Sequence, residues 1–122
     1  MPIRTKRAYE TAARGDGRRF LVERLWPRGI KKTDLEIEAW LKDVAPSPEL
    51  RQWYGHDPAK WLEFQRRYRR ELDANAAARQ PLQAAARRGT ITLVYSARDE
   101  ERNSAAVLRD YLNSRKAAKG KA

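Results

Sequence analysis

Two short strings hold most of the side chains in this sequence that could do chemistry. The first is Arg24-Leu25-Trp26-Pro27-Arg28-Gly29 and the second is Tyr95-Ser96-Ala97-Arg98-Asp99. Guanidiniums such as Arg24 and Arg28 grip phosphate or carboxylate in a bidentate fork, and the Trp26 indole can stack on a planar ring. The alternative is that Trp26 is core and Arg24 pairs with Asp43 or Glu23. The second string runs into the start of a helix, where free amides and the helix dipole favour an anion. Asp99, taken as that helix's N-cap, would consume the same amides. Tyr95, Ser96 and Asn103 add hydrogen-bonding groups, and Lys42 and Asp43 sit at the end of the preceding helical pattern.

Other chemistries find little support. The chain has no cysteine and a single histidine, His56, so no thiolate nucleophile and no imidazole or thiolate metal set can form. In Gly55-His56-Asp57-Pro58 the imidazole is placed to hydrogen-bond at a helix start, with general-base work as the weaker alternative. Ser96 lacks the Gly-x-Ser-x-Gly elbow of a serine hydrolase. No phosphate-binding P-loop and no Gly-x-Gly-x-x-Gly is present, so we expect neither metal nor cofactor. The N-terminal residues are already basic and no apolar run approaches a bilayer span, which predicts a cytoplasmic protein without a membrane partner.

These strings need elements to position them. A chain of 122 residues suffices for one domain, and 4 Trp, 5 Tyr and 2 Phe can furnish its core. Arg19 to Leu25 reads as a buried strand ended by Pro27 and Gly29. Thr90 to Tyr95 is a β-branched strand opened by Gly89, and Ile3 to Ala8 is a third candidate. Thr33-Asp34-Leu35-Glu36 has the form of a capping box, with Ile37, Trp40, Leu41 and Val44 at helical spacing behind it. Ser47-Pro48 and Asp57-Pro58 each start a helix. The second carries Trp61, Phe64, Tyr68 and Leu72 on one stripe and Arg66, Arg67, Arg69 and Arg70 outside it. Pro81 to Arg88 and a stretch capped by Asp99 complete about five helices. Strands separated by helices run parallel, so the expected fold is α/β: a small single-domain sandwich, residues 1–114, with a short, mainly parallel sheet of three or four strands. Residues 115–122 read as a flexible basic tail.

The same order of strings resembles the YeaO-like family of bacterial and archaeal proteins, a domain of unknown function. The resemblance rests on Lys6-Arg7-Ala8-Tyr9, on Val22-Glu23-Arg24-Leu25-Trp26-Pro27-Arg28-Gly29, and on Trp40 to Ser47 with Trp53 to Pro58. Thr92 to Asp99 with Asn103 completes it. It implies an α/β fold and no set reaction. The family often has Asn-His-Ala where this chain has Asn103-Ser104-Ala105. Broader relatives carry a cysteine near the end of the last strand, where this chain reads Tyr95-Ser96. Thiol or imidazole chemistry therefore does not carry over.

Parallel sheets bind ligands beyond the carboxyl ends of their strands. The expected function is thus binding of, or catalysis on, an anionic small molecule, phosphate- or nucleotide-like, at that edge. The net charge of +11 concentrates in residues 1–32, 63–88 and 113–122. It leaves two alternatives: weak, non-specific nucleic-acid association through Arg66, Arg67, Arg69 and Arg70, or an interaction module with no ligand.

Overall fold

The computed structural model describes residues 2–114 in full and the backbone alone over 115–121. The basic tail expected at residues 115–122 thus lies outside the residues described in full. Four strands, β1 (Ile3–Arg7), β2 (Arg18–Leu21), β3 (Ala39–Trp40) and β4 (Ile91–Tyr95), form one sheet in the order β1-β4-β2-β3. Every pairing is parallel. The last strand in sequence is therefore central, and all five of its residues are buried. Its run of Ile, Thr, Leu, Val and Tyr is what a strand covered on both faces requires.

The two faces are covered differently. Ile91, Leu93 and Tyr95 point into the larger core with the helices α1 (Pro48–Tyr54), α2 (Trp61–Ala74), α3 (Ala76–Arg88) and α4 (Ser104–Lys121). Val94 and Leu21 on the other face meet Ala8, Leu35, Trp26, Ile30, Ile37 and Trp40, all from loops and strand ends. One layer is helical and the other is coil.

On the coil face the ionic groups are tied down. The buried Asp16 carboxylate accepts from Lys6 Nζ at 3.0 Å, Arg19 Nη1 at 2.6 Å and the Ala13 amide at 3.0 Å. Burial pushes this carboxyl up, but the Ala13 amide, Lys6 and Arg19 outweigh it and hold it below its ordinary value. Next to it Gly17, at φ 64°, lets the chain pass over β4. A Cβ there would lie 2.1 Å from the Thr90 carbonyl oxygen.

Four expected elements differ. Strand β2 covers Arg18–Leu21 and stops short of the expected Leu25, which is exposed to solvent. Residues 33–44 form turns, β3 and a 3₁₀ turn (Lys42–Val44) instead of a helix. Ala39 and Trp40 pair with Phe20 and Leu21, so the apolar residues divide between the two cores. Tertiary pairing overrides the local helical spacing there. Helix α3 starts at Ala76 and carries Pro81 inside it. Proline removes only the bond to the Ala77 carbonyl, and Ala77 is exposed to water. Helix α4 starts at Ser104 and not at Asp99, because Asn103 is its cap: Asn103 Oδ1 accepts from the Ala106 amide at 2.8 Å. The helices thus number four among the described residues.

Candidate functional site

Because β2 and β4 are parallel neighbours, the chain leaves both at the same edge of the sheet. Val22 continues the ladder, its amide donating to the Val94 carbonyl at 3.1 Å. Glu23 and Arg24 follow past the end of β2 and take different partners. Glu23 Oε1 accepts from the Ser96 amide at 3.0 Å and from the Ser96 hydroxyl at 3.3 Å. That contact stitches the two strand exits together. From β1, Arg7 Nε donates to the Ala97 carbonyl at 2.9 Å, fixing the loop after β4 from the other side.

The stitch borders a cavity of about 570 Å³. Helix α1 and the turn after it supply Arg51, Tyr54 and His56, and α2 supplies Trp61 and Phe64 from its first turn. Helix α1 can end beside the cavity because Gly55 closes it in the left-handed region, at φ 53°. His56 follows at φ 57°, a conformation that costs a non-glycine residue free energy and is found most often where a site requires it. Tyr54, Trp61 and Phe64 make one continuous aromatic surface. Ring centroids lie 4.5 Å apart for Tyr54 and Phe64 and 5.6 Å apart for Trp61 and Phe64. Burial pushes the Tyr54 phenol up, so it is a neutral hydrogen-bonding group.

The last wall is the loop from Ser96 to Ser104, which brings Arg98, Asp99 and Arg102. Asp99 Oδ1 accepts from the amides of Glu101 and Arg102, both at 2.9 Å. The Arg102 amide and then the Glu101 amide hold its carboxyl below the ordinary value. Its Oδ2 lies 3.5 Å from Arg102 Nε. Asn103 bridges onward, donating from Nδ2 to the Asp99 carbonyl at 2.9 Å. Three guanidiniums therefore face two carboxylates, each already engaged by hydrogen bonds. Among the described residues, the side chains of Arg51 and Arg98 make no hydrogen bond, ion pair or ring contact. No group of three acidic, histidine or cysteine side chains among the described residues is placed to hold a metal ion.

A family model described as the inactive DUF488-N3 subclade matches residues 2–122. The chain belongs to that subclade. The similarity to YeaO expected from its sequence strings is likewise found: uncharacterised protein YeaO of Escherichia coli K12 is 42% identical over 114 residues, covering 93% of this chain and 99% of the relative. An uncharacterised protein of Mycobacterium tuberculosis H37Rv is 45% identical over 113 residues, covering 93% and 95%. No solved structure matches.

Within this member of the DUF488-N3 subclade the expected site residues separate into two sets. Ser96, Asp99, Asn103 and His56 line the cavity. Tyr95 is buried in the core beneath it. The first loop is spent on the framework. Arg24 donates to the carbonyls of Pro46 and Ala45, both at 3.2 Å, and lies 3.7 Å from Asp43. Trp26 packs edge-on against Trp40 on the coil face, and its Nε1 donates to the Ile30 carbonyl at 2.6 Å. Arg28 is exposed, and its carbonyl accepts from the Tyr9 hydroxyl. Lys42 lies 4.1 Å over the Trp40 ring, and Asp43 is on the surface. None of these five lines the cavity. On α2, Arg66 and Arg67 share Glu63, and Arg67 stacks 4.0 Å over Trp53, while Arg69 is half-buried and Arg70 exposed.

Sequence reasoning missed Glu23, Arg51, Tyr54, Trp61 and Arg102 as lining residues, and it named Arg98 only as part of the loop after β4. The available signal for Glu23 was its place at the exit of β2, beside Arg24. Arg51, Tyr54 and Trp61 depend on how α1 and α2 dock, which no local pattern discloses, whereas Arg98 and Arg102 come with the loop after β4.

No helix among the described residues is long and apolar enough to cross a membrane.

Proposed function

We propose that this protein binds an anionic small molecule in the cavity at the carboxyl edge of its sheet and holds it without turning it over. The observation that carries this reading is the pair of unengaged guanidiniums, Arg51 and Arg98, that line one cavity. A guanidinium held at a concave site without a carboxylate partner is poised to accept one from a ligand, or a phosphate. The Ser104 amide at the start of α4 has no acceptor among the described residues, and Ser104 lines the cavity. That adds a donor where an anion would sit.

Binding without turnover fits the groups present. The resemblance to the YeaO-like family implies an imidazole where this chain has Ser104, and among broader relatives a thiol near the strand end where it reads Tyr95-Ser96. The Ser96 hydroxyl is hydrogen-bonded to the Glu23 carboxylate, a far weaker base than an imidazole. Membership of a subclade described as inactive supports the same reading.

Calorimetric titration with inorganic phosphate and pyrophosphate tests the reading. Arg51→Ala and Arg98→Ala should each weaken binding roughly ten- to a hundredfold, the worth of a charge-assisted hydrogen bond of about 1.5–3 kcal/mol. The thermal midpoint of the free protein should not move. Binding by the double variant equal to that of the wild type would refute the assignment.

A further inference from the structure

The anion-binding reading leaves the aromatic wall unexplained, and this inference rests on that reading. We propose that the ligand is a nucleoside phosphate, its phosphate on the guanidiniums and its base against Tyr54 and Trp61. Inorganic anions gain nothing from an apolar ring surface, whereas a planar heterocycle stacks on one. Tyr54 and Trp61 are only half-buried, so ring area remains uncovered, and buried Phe64 backs them both. The wall and the cationic groups adjoin, because Arg102 is close enough to act on the Tyr54 phenol.

Glu23 supplies a third kind of contact. Its Oε1 is taken by Ser96, but Oε2 has no hydrogen-bond partner among the described residues. A carboxylate oxygen bordering the cavity accepts from a donor on the ligand, and nucleosides bring ribose hydroxyls and exocyclic amines. Cation, aromatic ring and lone acceptor together match the three parts of a nucleotide. The volume of about 570 Å³ lies inside the range of about 300–1,000 Å³ usual for small-molecule sites. A sugar phosphate would use the arginines and Glu23 and leave the aromatic wall idle.

The test is calorimetry on the full chain with AMP and GMP, set against adenosine, ribose 5-phosphate and inorganic phosphate. We expect AMP or GMP to bind at least roughly tenfold more tightly than any of the three fragments, since one stacked base adds about 1–3 kcal/mol. Trp61→Leu and Tyr54→Leu should reduce the nucleotide to the affinity of ribose 5-phosphate. The wild-type panel decides even if a variant fails to fold. Equal binding of nucleotide, ribose 5-phosphate and phosphate would overturn the nucleoside assignment and leave the anion site standing. Adenosine binding as tightly as AMP, or no binding by any probe, would overturn both.

Discussion

The charged groups on the coil face of the sheet and those around the cavity at its carboxyl edge are built from the same residue types, yet they are used in opposite ways. On the coil face Asp16 has three donors, Lys6 reaches both Asp16 and the Thr11 carbonyl, and Arg19 reaches both Asp16 and the Glu36 carbonyl. Around the cavity Arg51 and Arg98 have no partner among the described residues. A buried charge must be answered within the protein, because leaving it unpaired is costly. An exposed charge at the rim of a concave surface is under no such obligation. The contrast separates framework from candidate site by bonding state, where residue type cannot.

The largest effect should come from the coil face. Asp16→Asn leaves Arg19 buried without its carboxylate, and breaking a pair of this kind costs about 3–5 kcal/mol. Urea denaturation of the variant should show a loss of that order, while phosphate binding to the folded fraction stays at the wild-type value. The pH dependence has a definite sign. The folded Asp16 carboxyl lies below its unfolded value, so its contribution is complete above the unfolded pKa of about 3.9 and is lost as pH falls through the folded one. The wild type should therefore lose stability below about pH 4 more steeply than Asp16→Asn does. Equal acid profiles would mean that the network contributes no net stability.

Arg24 sharpens the comparison from within the loop that follows β2. In the sequence it looks as good a ligand as Arg98, yet it spends its donors on two buried carbonyls. Arg24→Ala should cost about 2 kcal/mol in denaturation, the range for losing hydrogen bonds to a charged group. Phosphate affinity should change by less than about threefold, within ordinary variation for a residue off the contact surface. A loss of affinity as large as that of Arg98→Ala would place Arg24 in the site and erase the distinction.

Strands β1, β2 and β4 were readable because their signals are local, though β2 ends at Leu21, before the proline and glycine expected to end it. The α1 boundaries were readable for the same reason, since Ser47, Pro48 and Gly55 act within one turn. Residues 33–44 were not. Ile37, Trp40, Leu41 and Val44 fit a helical stripe, but Trp40 packs with Trp26 and donates to the Glu23 carbonyl at 2.6 Å, while Leu41 and Val44 join the opposite core. Only the neighbouring strand decides between the two arrangements. The site was half legible. The sheet edge and the loop from Ser96 to Asn103 follow from strand direction, whereas Arg51, Tyr54 and Trp61 enter through helix docking between elements far apart in sequence.

The smallest and most discriminating change is Asp99→Asn. The amide keeps an oxygen for the Glu101 and Arg102 amides, so the turn before α4 should survive and the thermal midpoint should not shift measurably. What changes is charge. The depressed Asp99 carboxyl is fully ionised at neutral pH, and it both opposes an incoming anion and holds Arg102 at 3.5 Å. Removing that charge should tighten phosphate binding by about threefold at low salt, and the gain should shrink as ionic strength rises, as it does for exposed charges. Asp99→Ala removes the turn's acceptor as well, so it should gain less than Asp99→Asn or lose affinity. If Asp99→Asn binds phosphate no better than the wild type at low salt, the anion does not sit within reach of Asp99. The site would then have to be redrawn around Arg51 and His56.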